Sequence, residues 1–307
     1  MSPYNSTPVV DPVLTNIIRG YRQSGRIGRL LFPEVEVTRR SGTVIEFGKE
    51  DFMLYNSRRS AGSATKRIEF GHQGKPFALV QDSLESKLPR EYADETTQLT
   101  TELGTRATTK VMNALTLALE YEQAALATSH AYYSSGNKQT LSGEDQWTHP
   151  DSNPAKIVEH ARHAIRNKCG LYPNTLILGP KPFSALRNNA FISNRFRNAD
   201  IVTAEMLGKL FNIEQVVEGT AMMADQSGAF HDVWGNFAVL GYAPREPQGV
   251  EEPSYGYTYT YKGNPFVEVP YWEANTKSWI YGVTYERQAV LAGMEAGFLI
   301  IDPAGEE

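Results

Sequence analysis

Cysteine is almost missing from this chain. Cys169 is the only one in 307 residues, which excludes an intramolecular disulfide and leaves packing or assembly to hold the fold, as suits a reducing cytoplasm. Long apolar runs are missing too. The first residues, MSPYNSTPVVDPVLTNIIRG, show no basic start followed by an apolar core, and no later run is long enough to span a bilayer, so no membrane partner is expected. There is no basic excess: 30 Lys and Arg face 35 Asp and Glu, for a formal net charge of -5. That balance disfavours tight non-specific binding of nucleic acid.

Catalytic signatures are equally scarce. No G-x-S-x-G elbow, H-E-x-x-H helix or Walker loop occurs. His160 and His163 lie three apart on a predicted helix, but no third ligand with recognisable spacing accompanies them. Cys169 would need a histidine partner to act as a nucleophile, and single cysteines are mostly packing residues. No metal, cofactor or catalytic residue is therefore expected, and an α/β enzyme using His160, His163 or Cys169 is the weakest of three functional readings.

One stretch tests this directly. In LYPNTLILGPKPFSALRNN, residues 171–189, the short β-branched run Thr175–Leu178 reads as a strand buried on both faces, leading through Gly179 into a helix. Strand, glycine turn and helix together can hold a phosphate. Here, however, Pro180 and Pro182 remove two backbone donors, and the glycine spacing of a dinucleotide loop is missing.

What is present comes in a definite order. Residues 1–42 mix Pro, Ser, Thr and Arg with scattered apolar residues and are expected to form an extended arm lying on other chain. Residues 43–90 read as a long hairpin with a small-residue, basic tip at Arg58, Arg59, Lys66 and Arg67. From Glu91 to Thr128 a proline-free helix is expected, with Leu99, Leu103, Ala107, Val111, Leu115 and Leu119 at fourfold spacing, joined by Met112 and Leu126. A polar connection reaches residue 153. Helices and strands then alternate, including a helix opening at Pro154 and another capped by Thr203. GYTYTYKGNPFVEVPYWEANTKSWIYGVTYERQAVL closes the chain as alternating antiparallel strands whose partners lie far away in sequence.

This order, with YPNTLILGPKPFSALRNN, LGKLFNIEQVVEGTAM and VWGNFAVLGYAP, resembles the major capsid proteins of tailed bacteriophages, of the Hong Kong ninety-seven fold that encapsulin shells share. The resemblance implies an α+β subunit with N-arm 1–42, E-loop hairpin 43–90, spine helix and part of the P-domain 91–150, A-domain 151–245, and C-terminal strands 246–307 completing the P-domain. It also implies self-assembly into pentamers and hexamers, in the host bacterial cytoplasm, as an icosahedral virion head around double-stranded DNA. The implied partners are other copies of the chain, a separate scaffolding protein, a portal, packaged DNA held without sequence selection through residues such as Arg19, Arg22 and Arg26, and a decoration protein on shells that carry one.

An encapsulin-like cargo shell is the second reading. Lysine–asparagine cross-linking, known in some members, is not expected, since Lys66, Lys75 and Asn264 do not match its pattern. Charge complementarity makes Asp94, Glu95 and Glu102, at the start of the spine, the expected seat for the neighbouring subunit's basic tip.

Overall fold

The computed structural model describes residues 9–20, 25–45, 74–94, 100–197, 201–245 and 253–305, and, between them, residues 54, 56–60, 62, 64, 65 and 67. In chain order the elements are α1 (Pro12–Gly20), β1 (Glu34–Val37), β2 (Ser41–Ile45), β3 (Gly74–Ala78), β4 (Val80–Pro89), α2 (Arg90–Asp94), α3 (Thr100–Thr128) and β5 (Lys138–Thr140). There follow α4 (Pro154–Cys169), β6 (Thr175–Leu178), α5 (Pro180–Asn188), α6 (Ala190–Arg195), α7 (Ala204–Phe211), β7 (Gln215–Glu218), β8 (Met222–Ala224), β9 (Phe230–Asp232) and β10 (Phe237–Gly241). The chain closes with β11 (Gly256–Tyr261), β12 (Phe266–Val267), β13 (Tyr271–Glu273), β14 (Ser278–Leu291) and β15 (Gly297–Ile301).

Two sheets divide the work. The first is organised on the 14-residue β14, which pairs antiparallel with β4, β11, β12 and β13, while β1 adds parallel to β11. The second has the order β5-β15-β10-β6-β7, with helices α4, α5 and α7 supplying its packing residues Val158, Ile165, Leu186 and Leu207. Thr175–Leu178 is buried at all four positions, as its uniform apolar character requires. The Thr203 hydroxyl caps α7 by accepting from the Met206 amide at 3.4 Å.

The helix α3 runs 29 residues, roughly 44 Å at ~1.5 Å per residue. Ala107, Val111, Leu115 and Leu119 are buried along one stripe with Met112, and the helix packs on β4 and β14. Of the helix expected from Glu91 to Thr128, Arg90–Asp94 (α2) and Thr100–Thr128 (α3) are helical, and residues 95–99, with Leu99 and Glu95, lie outside the described residues.

Two expectations are corrected. Residues 1–42 are not simply an extended arm, because α1 buries Leu14, Thr15 and Ile18, and beyond it Leu31 and Phe32 are wholly enclosed in the same core as α3. Each apolar residue fills a hole made by distant chain, which no local periodicity announces. Nor does one hairpin account for residues 43–90: β2 and β3 pair with each other, but β4 departs and makes a ten-residue antiparallel register with β14, from Pro89 opposite Ser278 to Val80 opposite Arg287.

Candidate assembly surfaces and a basic cleft

The glycine turn after β6 is a packing device. Gly179 has φ -64 and ψ 166, open to any residue, but a Cβ there would stand 1.8 Å from the Gly235 carbonyl oxygen. The close approach of two backbones, and not a phosphate, demands glycine. The histidines are ordinary surface groups: His163 Nε2 lies 2.9 Å from Glu159 Oε1, and His160 meets the Phe298 ring edge-on. The Cys169 thiol is partly buried and donates to the Leu171 carbonyl at 3.5 Å, and burial pushes its pKa up, away from the reactive thiolate. Among the described residues no three His, Cys, Asp or Glu side chains form a metal-binding group, and no helix is long and apolar enough to cross a membrane.

Buried polar groups tie the elements of the subunit together. Glu120, 1% exposed on α3, accepts from the amides of Ile27 and Gly28 at 3.1 Å and from the Trp234 indole at 2.7 Å. Its second oxygen accepts from Gly28 at 3.0 Å. One carboxylate thereby joins the N-terminal segment, the long helix and the entry to β10. Burial raises its pKa, and these hydrogen bonds oppose that shift only in part. At Gly28 the chain lies close against α3: a Cβ there would press on the Gln123 side chain, whose Cβ and Cδ would stand 3.0 Å away. Arg287, 2% exposed on β14, reaches Glu122 of α3 at 2.7 Å and Asp82 of β4 at 3.0 Å. Tyr285 donates to Glu34 at 2.5 Å, linking β14 to β1.

Among the described residues, no ion pair joins the expected basic tip to the expected acidic seat within one subunit. Arg58, Arg59 and Arg67 are exposed, as is Leu54, and none of the three arginines makes an ion pair with a described residue. Asp94 ends α2 and Glu102 is exposed in the first turn of α3; Lys66 and Glu95 lie outside the described residues. Of the residues expected near DNA, Arg19 donates to the Pro265 carbonyl at 3.0 Å and to that of Gly263, and Arg22 lies outside the described residues. Asn264 is buried and accepts from the Glu286 amide at 2.9 Å, a structural role.

Sequence reasoning missed two surfaces. On the β13–β14 hairpin, Trp272 and Trp279 are cross-strand partners with ring centroids 5.7 Å apart, yet both remain about two-fifths exposed. Their spacing across the turn ANTK was the available signal. Exposed clusters of this kind mark contact surfaces. The second is a cleft of about 550 Å³ between the N-terminal segment and α3, assembled from residues too far apart in sequence to suggest one another.

Comparison with known proteins decides the family. The chain is 33% identical over 298 residues to the major capsid protein of Burkholderia phage BcepMu, covering 95% of this chain and 96% of that protein. It belongs to the phage major capsid proteins. The crystal structure of a phage-related protein from Bordetella bronchiseptica RB50 superposes with TM-score 0.87 at 43% identity, over 97% of this chain and 99% of that one. An encapsulin complex from Synechococcus elongatus matches with TM-score 0.54 at 11% identity, over 93% and 90% of the two chains, a likeness of fold alone. No protein-family model matches.

The capsid subunit thus has the Hong Kong ninety-seven-like α+β fold, is a structural protein of the virion shell, and assembles with copies of itself; it is not an enzyme. The cargo-shell alternative rests only on the shared fold.

Proposed function

We propose that the subunit forms pentamers and hexamers that close an icosahedral head around double-stranded DNA, in the host bacterial cytoplasm, with a separate scaffolding protein and a portal. In this reading residues 1–42, anchored in the core through α1 and Phe32, are the arm, β2 and β3 with the chain between them are the hairpin loop, β4 joins the strands of the P-domain, 91–150 are the spine with part of the P-domain, 151–245 the A-domain and 246–307 the strands that complete the P-domain. The basic tip at Arg58, Arg59, Lys66 and Arg67 docks on Asp94, Glu95 and Glu102 of a neighbouring copy.

The observation that supports this reading is the exposed state of Arg58, Arg59 and Arg67 beside exposed Leu54, without an acidic partner among the described residues of the same subunit. Such a tip is costly to hold unless it is covered by another chain. Replacing all four basic residues by serine, followed by size-exclusion chromatography and electron microscopy, is the test. The expected result is folded subunits that fail to close shells. Normal particles would overturn the docking.

A further inference from the structure

One strand of the first sheet has an open edge. Among the described residues β4 pairs only with β14, so the side of this 10-residue strand that faces away from β14 is unpaired there. Two hydrogen bonds fix which backbone groups point that way. The Arg90 amide donates to the Lys277 carbonyl at 3.0 Å, while the Gly282 carbonyl, opposite Glu85, accepts from the Glu268 amide at 3.0 Å on the far side of β14. Even-numbered residues of β4 therefore bond to β14, and the amides of Gln81, Ser83, Glu85 and Lys87 point outward. All four residues are exposed, and their amides have no other backbone acceptor among the described residues. Pro89, without an N–H, ends the row.

A lysine on an edge ordinarily repels a second strand. Here Glu85 stands two residues before Lys87 on the same face, which makes the edge complementary to itself. Lys87 has no ion-pair partner among the described residues, and Glu85 accepts from the Tyr271 hydroxyl only at 3.3 and 3.4 Å. On the other face Leu84 is exposed.

We propose that β4 pairs antiparallel with β4 of a second copy across a two-fold axis at Ser86, joining the sheets of two subunits. Glu85 then lies opposite Lys87 of the second copy, and Lys87 opposite Glu85, while Leu84 meets Leu88 and Ser86 meets itself. Outward-pointing residues must face outward-pointing residues, so only alternate registers can form the ladder. Centring the pair on Glu85 opposes like charges, which cross-strand contacts penalise. Centring it on Leu84 sets Glu85 and Lys87 against uncharged Ser83 and Gln81. The register at Ser86 pairs both charges, and the self-complementary patch is what a two-fold contact requires. The chain assembles with copies of itself, so a second copy is the occupant. The pairing uses none of Arg58, Arg59, Lys66 and Arg67, and failure of the tip docking would leave it standing.

The test is disulfide trapping in the full-length chain carrying Cys169→Ala, which removes the one native cysteine. Residues opposed in a non-hydrogen-bonded antiparallel pair stand about 4.5 Å apart at Cα, within the ~4.4–6.8 Å span of disulfides. Mild oxidation of the expressed protein at assembly concentration is expected to give a covalent dimer with Ser86→Cys, seen on a non-reducing gel, and none with Leu84→Cys. Glu85→Lys or Lys87→Glu, each added to Ser86→Cys, should lower the dimer yield at least about fivefold. Both reversals together should restore it, which a local role of either side chain within its own subunit would not do. Circular dichroism checks folding, and a mixture of Glu85→Cys and Lys87→Cys subunits, cross-linking only when mixed, replaces Ser86→Cys should that variant not fold. No dimer from the trapping variant, a dimer from Leu84→Cys in its place, or charge reversals without effect would overturn the pairing.

Discussion

The hydroxyls of Tyr133 and Tyr255 stand 2.6 Å apart in the sealed core, and Tyr133 also donates to the Ala127 carbonyl at 2.7 Å. Since the Tyr133 proton is committed to that carbonyl, Tyr255 must be the donor within the pair. Burial pushes both phenols up, so neither ionises in the folded subunit. The two deletions are therefore unequal. Tyr133→Phe strands the Tyr255 proton and the Ala127 carbonyl and is expected to cost about 1–3 kcal/mol. Tyr255→Phe leaves Tyr133 its carbonyl acceptor and should cost less. Chemical denaturation of the unassembled variants checks the order; equal losses would reverse the donor assignment.

Glu120 makes stability depend on pH. Its folded pKa is raised, so the folded chain binds the proton more tightly than the unfolded chain. The associated stabilisation is complete below the ordinary carboxylate range and is lost as pH rises through the raised value. Melting temperatures of the wild type should decline across that window, and Glu120→Gln should remove that part of the decline. Glu120→Ala, by stranding the Ile27, Gly28 and Trp234 donors, should destabilise at every pH by about 3 kcal/mol or more.

Gly179→Ala should be severe for a reason unrelated to helix propensity. Its Cβ would collide with the carbonyl of Gly235, backbone that cannot rotate aside, and the cost should lie at or above the ~3 kcal/mol upper end of ordinary overpacking. Recovery of soluble, folded subunit and its melting temperature are the readouts. A change below about 1 kcal/mol would mean that the two turns can separate.

The paired tryptophans on β13 and β14 predict the opposite behaviour. Replacing Trp272 and Trp279 together by serine removes a pair that is partly solvent-exposed in the lone subunit, so the subunit should remain folded with a loss near 1 kcal/mol. Assembly should suffer more, because exposed aromatic clusters serve contacts between chains. Light scattering of assembly reactions compares the two effects; unaffected assembly kinetics would assign the pair a local role.

What the sequence determined by itself was local and periodic. The stripe from Ala107 to Leu119, the buried strand Thr175–Leu178, the Thr203 cap and the missing phosphate loop were all legible, because each depends on neighbours within a few residues. The order of elements carried enough further information to suggest the family.

Only the tertiary structure decided the rest. That β4 leaves the hairpin for β14, that α1 and Phe32 enter the main core, and that Glu120 joins Gly28 to Trp234 across 92 and 114 residues depended on chain brought together from far apart. A strand's alternation states that one face is buried but not against which partner. A lone glutamate in a helix likewise reads as solvated until folding removes its water and supplies three donors in return. The cleft between Arg29 and Met112 is of the same kind: its walls come from segments that meet only after the long helix has packed.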